Sequence, residues 1–234
     1  MSEFEHNVEG IGALTEPVRR ELYFFVCAQP APVSRDQAAD AVGIARHQAK
    51  FHLDRLEADG LLESEYARLT GRTGPGAGRP SKLYRRTAGE IAVSLPQREY
   101  ELAGRLMADA IVESERTGTP VLEALRGVAV AYGETIGDTT ATTGRPRSAK
   151  AALDLAVDVL KDNGYEPRRE GGRAVMANCP FHALAKAQTA LVCEMNHALI
   201  TGFVQRVAPD RLDACLEPGD DRCCVVVTAT PARI

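Results

Sequence analysis

The chain has 234 residues, of which 44% are hydrophobic and 26% charged, with a net charge of −4. That length and composition suit an ordinary globular protein with a sizeable core, built as two modest domains or one large one. They exclude an overall basic nucleic-acid binder, and the lack of any apolar run of about 18 residues excludes a transmembrane helix.

Ile11 to Cys27 reads as the first helix, with Leu14, Val18, Leu22 and Phe25 on one face and Pro17 in its first turn. Gln29-Pro30-Ala31-Pro32 ends it. Ser34 and Gln37 form a capping-box pattern that opens a second helix through Ala38, Ala39 and Val42, and Gly43 ends that helix. A third helix covers Ile44 to Asp59, with Ala49, Leu53 and Leu56 facing inward. Residues 63–87 hold two strand-like stretches around a Gly/Pro-rich tip, 70–80, with Lys82-Leu83-Tyr84-Arg85-Arg86-Thr87 as the return strand.

Further helices are expected from Pro96 to Ser114, Val121 to Ile136, and Ser148 to about Lys161, with a polar link over 138–146. A hairpin across Glu170-Gly171-Gly172, helices over 181–187 and 189–206, and strands near 212–216 and 223–228 complete the chain. The expected fold class is α+β. Its parts are an N-terminal winged helix-turn-helix domain (1–90), a helical linker and dimerisation region (91–145), and a C-terminal α/β sensor domain with a cysteine-rich site (146–234).

The order helix, helix, glycine turn, helix, hairpin is that of a winged helix, whose third helix enters a major groove. Arg46, His47, Gln48, Lys50 and Phe51 fall on the exposed N-terminal half of that helix. Arginine pairs with guanine and glutamine with adenine, while Lys50 suits a phosphate. From Tyr66 to Thr87 there are six basic residues, Arg68, Arg72, Arg79, Lys82, Arg85 and Arg86, and no acidic one. Such a one-signed stretch in an acidic protein suits a DNA backbone or minor groove, and Arg72, Arg79 and Lys82 are its candidate contacts. The expected partners are double-stranded DNA and a second copy of the chain, with no membrane.

The segment Gly43-Ile44-Ala45-Arg46-His47-Gln48-Ala49-Lys50-Phe51-His52-Leu53-Asp54-Arg55-Leu56-Glu57-Ala58-Asp59-Gly60-Leu61-Leu62 resembles the recognition segment of bacterial ArsR/MarR/DeoR-type winged-helix regulators. The stretch Gly78-Arg79-Pro80-Ser81-Lys82-Leu83-Tyr84 is similar to the wing of the iron–sulfur-assembly repressors, the SufR type.

The N-terminus, Met1-Ser2-Glu3-Phe4-Glu5-His6, lacks the basic and apolar regions of a signal peptide, so a cytoplasmic location is expected, with reduced cysteines. Cys27 stands apart, while Cys179, Cys193, Cys215, Cys223 and Cys224 cluster near the C-terminus, which suggests ligation of a metal or cluster. Cys179 and His182 are three residues apart at a helix start and can face one point. Cys193 follows on the next helix, and the Cys223-Cys224 strand can close the site. Thiolates with an imidazole suit an iron–sulfur cluster or zinc. Adjacent strand residues point to opposite faces, so one of Cys223 and Cys224 is expected to ligate. This region also resembles the C-terminal domain of the SufR-like regulators. That resemblance implies a cluster held by Cys179, Cys193 and Cys223, with His182 as a fourth candidate ligand. The chain departs from that pattern at His182, Cys215 and Cys224, which keeps zinc open.

No catalytic triad, P-loop or dinucleotide fingerprint is present, and the Gly74-x-Gly76-x-Gly78 run lies in the wing and does not open a helix after a strand. An enzyme is therefore not expected. A regulator answering to a small apolar effector, with zinc or no metal in its C-terminal domain, is the alternative.

Overall fold

Pro17 sets the first boundary. It has no amide proton to continue a helix, and the expected single helix is two: α1 (Glu3–Ala13) and α2 (Pro17–Cys27). The Glu16 carboxylate accepts the amides of Val18 and Arg19 at 3.2 and 2.6 Å and caps α2. In this computed structural model the described residues are 3–68, 80–140, 146–219 and 222–230. They divide between two compact units, residues 1–93 and 94–234.

In the first unit, β1 (Val33–Ser34) leads into α3 (Arg35–Val42). The expected capping box is present: Ser34 Oγ accepts the Gln37 amide at 3.3 Å and Gln37 Oε1 accepts the Ser34 amide at 2.9 Å. Gly43 ends α3 with φ 73°, a left-handed turn that favours glycine. The turn redirects the chain into α4 (Arg46–Ala58), whose Ala49, Leu53 and Leu56 are wholly buried against Leu22, Val26, Ala38 and Ala39. The hairpin follows as β2 (Leu62–Ala67) and β3 (Ser81–Arg86), paired antiparallel from Leu62 opposite Arg86 to Ala67 opposite Ser81. On the other side of β3, Val33 pairs with Tyr84, so the sheet order is β1-β3-β2. The hairpin tip over 69–79, with the expected contacts Arg72 and Arg79, lies outside the described residues.

The second unit contains α5 (Tyr100–Thr117), α6 (Val121–Thr140), α7 (Ala149–Asp162), β4 (Pro167–Glu170), β5 (Arg173–Met176), α8 (His182–Ala187), α9 (Thr189–Val207), β6 (Leu212–Leu216) and β7 (Val225–Ala229). Its four strands form an antiparallel sheet in the order β4-β5-β7-β6. Ala174, Met176, Leu212, Ala214, Val225 and Val227 of the sheet share one core with Ala156 and Leu160 of α7 and Met195 and Leu199 of α9. Helix α6 packs along α9, and α5 along α6. The α6–α9 crossing is set by glycine. A Cβ on Gly133 would lie 1.9 Å from the Leu199 carbonyl oxygen, and one on Gly202 would lie 2.2 Å from that of Val130. The 97–136 helices thus contribute Ala103, Leu106, Leu125 and Ala129 to the second unit's own core. Among the described residues no helix is long and apolar enough to cross a membrane.

Candidate functional site

Two constellations carry chemistry, one in each unit. The first is the outer face of α4. With Ala49, Leu53 and Leu56 buried, the helical repeat turns Arg46, His47, Gln48, Lys50 and Phe51 outward, and all five are exposed. Phe51 is 64% exposed, a large apolar ring with no core to fill. Gln48 Oε1 accepts the Ala45 amide at 3.2 Å, so its carbonyl caps α4 and its amide group remains to donate. Arg46 pairs with Asp36 on α3. The Lys50 ammonium lies 2.8 Å from Asp54, one turn further on. Exposed pairs of this kind are worth little and exchange readily for a phosphate.

Lys82, on β3, is placed differently. Its ammonium donates to Asp54 at 2.9 Å and also to Glu57, both on α4. Tyr84 Oη donates to Asp54 at 2.7 Å, and the Lys82 ammonium lies 5.0 Å from the Tyr84 ring centre. Ser64 Oγ completes the network on Glu57. Partial burial alone would raise the Asp54 carboxyl, but hydrogen bonds from Lys50, Lys82 and Tyr84 outweigh it and hold the group at about 2. Lys82 is likewise desolvated, which alone would lower its pKa, yet Glu57 and Asp54 push it well up. Lys82 therefore ties the β2–β3 hairpin to α4.

The second constellation lies where the segment after β5, helix α9 and the segment before β7 meet. Arg98 fixes the first of these, donating to the Cys179 carbonyl at 2.8 Å and to Asn178 Oδ1 at 2.5 Å. Asn178 in turn donates to the Gly164 carbonyl at 2.8 Å. Cys179 and Cys223 are both buried and close enough for their thiols to interact. The neighbouring Cys223 thiol lowers the Cys179 pKa, and the Cys179 thiol, with burial, raises that of Cys223. Asn196 of α9 donates to Cys223 Sγ at 3.3 Å and accepts from the buried Tyr165 hydroxyl. Cys193, one turn before Asn196, forms a disulfide with Cys224, their Cα atoms 6.5 Å apart.

The expected strand from Cys223 begins only at Val225, so Cys223 and Cys224 lie in the bent segment before β7, where Cys223 is buried and Cys224 half-buried. Each finds its own cysteine partner there, so the site is two pairs. The His182 side chain is exposed at the start of α8, and only its amide joins the region, donating to the Cys179 carbonyl at 3.1 Å. Cys27 and Cys215 are half-buried free thiols. Among the described residues no group of three or more His, Cys, Asp or Glu side chains converges so as to hold a metal ion. Cys193 and Cys224, joined to each other, offer no thiolate. A cluster on Cys179, Cys193 and Cys223, with or without His182, does not fit this paired arrangement. The reduced state expected for these thiols is thus not the state of Cys193 and Cys224. Sequence reasoning missed Arg98, Tyr165 and Asn196. Only Asn196, three residues after Cys193 on the same helix, carried a readable spacing signal.

No curated protein and no solved structure matches the chain. Residues 14–65, from the end of α1 into β2, match the family model of a helix-turn-helix domain. With the outward basic face of α4 and the β2–β3 hairpin behind it, that match supports a DNA-binding transcriptional regulator of the winged helix-turn-helix type.

Proposed function

We propose that the protein regulates transcription as a homodimer, each copy laying α4 in the major groove of one half-site. The half-sites would then lie about one DNA turn, roughly 34 Å, apart. The observation that carries this reading is the division of α4: three wholly buried residues on one face, and Arg46, His47, Lys50 and Phe51 exposed on the other. Arg46 reads a base edge, Phe51 suits a thymine methyl, and Lys50 takes a phosphate. The experiment is selection of a preferred duplex by the full-length protein from a random library, followed by titration of Arg46→Ala. The substitution is expected to weaken the selected duplex about tenfold or more and leave random duplex little changed. Equal loss on both would remove Arg46 from base reading, and no selected sequence at all would overturn the assignment to α4.

We place the second unit in the sensing role, in the cytoplasm, with its cysteine site as the input. An iron–sulfur cluster or zinc remains the cofactor proposed for the thiol state of this site, because four cysteines gather there. It requires Cys193 and Cys224 to be opened first. Metal and sulfide analysis with an absorption spectrum of anaerobically prepared protein tests it.

A further inference from the structure

The four gathered cysteines are not equivalent. Cys179 and Cys223 are buried, whereas Cys193 and Cys224 are half-buried. A small thiol therefore meets the Cys193–Cys224 bond before it meets the other pair. That bond joins the first half of α9 to the segment leading into β7, which are 31 residues apart in sequence.

We propose that Cys193 and Cys224 form a reversible thiol–disulfide site that exchanges with a low-molecular-weight thiol/disulfide couple. One external thiolate attacks one sulfur of the Cys193–Cys224 bond, forming a mixed disulfide and releasing the other cysteine as a thiolate, which takes up a proton. A second external thiol resolves the mixed disulfide. Two external thiols become one external disulfide, and two cysteines gain two electrons and two protons. The reverse steps close the bond.

Two features suit the site to reversal. The Asn196–Cys223 hydrogen bond joins α9 to the same segment without help from the disulfide, and Tyr165 holds Asn196 from behind. The Cys223 amide also donates to the Met176 carbonyl at 2.9 Å, and the Glu217 amide donates to the Cys224 carbonyl at 2.6 Å. These backbone and side-chain bonds keep both sulfurs near one another after reduction, so re-closure is intramolecular. The second feature rests on the DNA-binding reading: a regulator works in a reducing compartment, where disulfides are transient and redox-sensing rather than structural. Reduction also frees the thiols that any metal or cluster would need, so the disulfide and the ligated state exclude each other.

The test is a redox titration of the full-length protein against mixtures of reduced and oxidised glutathione, quenched in acid, alkylated and read by intact mass and peptide mapping. The expected result is one two-electron transition mapping to Cys193 and Cys224, with Cys179 and Cys223 alkylated only after unfolding at every ratio. Mapping on the unsubstituted chain identifies the pair without reliance on a variant that fails to fold. Cys179→Ser is expected to keep the transition, and Cys193→Ser to abolish it. A bond that survives reduced glutathione alone is a structural staple and overturns the proposal. So does a bond that never forms, or a preparation in which these cysteines hold zinc or iron at every ratio. DNA binding is read separately, so failure here leaves the α4 assignment standing.

Discussion

Asp54 sits where three hydrogen bonds meet, from Lys50 and Tyr84 and from the wing's Lys82. Its carboxyl is held at about 2 in the folded chain against an ordinary 3.8. Between those values the unfolded chain binds more protons than the folded one, so stability rises with pH there. The contribution is present above about pH 4 and is lost as pH falls toward about 2. Glu57, also lowered despite its desolvation because Lys82 and Ser64 donate to it, shares that window. Thermal melts of the full-length protein over roughly pH 2 to 6 are expected to show this loss, and Asp54→Asn should flatten it at the cost of lower stability near neutrality. An unchanged slope would mean that the wing network does not set the acid limb. Phe51 gives the opposite signature. At 64% exposure it fills no core, so Phe51→Ala is expected to leave the melting temperature nearly unchanged while weakening the selected duplex.

At the level of elements, Lys82 separates a strut from a phosphate contact. Salt dependence distinguishes them, because each neutralised phosphate adds about one to the slope of log affinity against log salt. Lys82→Met is expected to lower stability by about 1–2 kcal/mol, through carboxylates left short of partners, and to leave that slope unchanged. A slope smaller by about one would instead place Lys82 on the DNA. The α6–α9 crossing makes a second expectation. Its Gly202 has the Val130 carbonyl where a Cβ would stand, and backbone cannot yield as a side-chain tip does. Gly202→Val is therefore expected to cost about 1–3 kcal/mol or more in a denaturant titration. Elements with local signals were legible from sequence: the Ser34–Gln37 box, the Gly43 turn, the Ser148 cap on α7, the inward stripe of α4. Helix α1 was not, because Gly10, Gly12 and three glutamates give it no strong pattern. Its support is tertiary, with Asn7 donating to the Ala92 carbonyl at 3.1 Å and Ile91 against Gly10. The cysteines were legible as a group, but their pairing is a long-range fact. It depends on where α9 meets the segment before β7, and no spacing along the chain records that.

For the whole molecule, the division at residues 93 and 94 bears on how two copies meet. The inner side of α6 is taken by α9, so the proposed dimerisation, if it runs through these helices, must use another face. Ile111 and Val112, on the last two turns of α5, and Val121 and Leu122, opening α6, are large apolar residues left exposed at one end of that helical pair, at 57%, 67%, 44% and 56%. Charge placed there should act on assembly and spare the core. The double substitution Ile111→Glu, Val112→Glu is expected to shift the protein from dimer to monomer in sedimentation, with its melting behaviour kept apart from any concentration dependence. Linked half-site binding makes the second contact effectively intramolecular, so a duplex with two half-sites should lose much more affinity than a duplex with one. Equal losses on both would point to a defect in the reading helix itself. A double variant that stays dimeric would move the interface off α5 and α6, leaving the exposed stripe of Phe4, Val8 and Ile11 on α1 as the next apolar face to substitute.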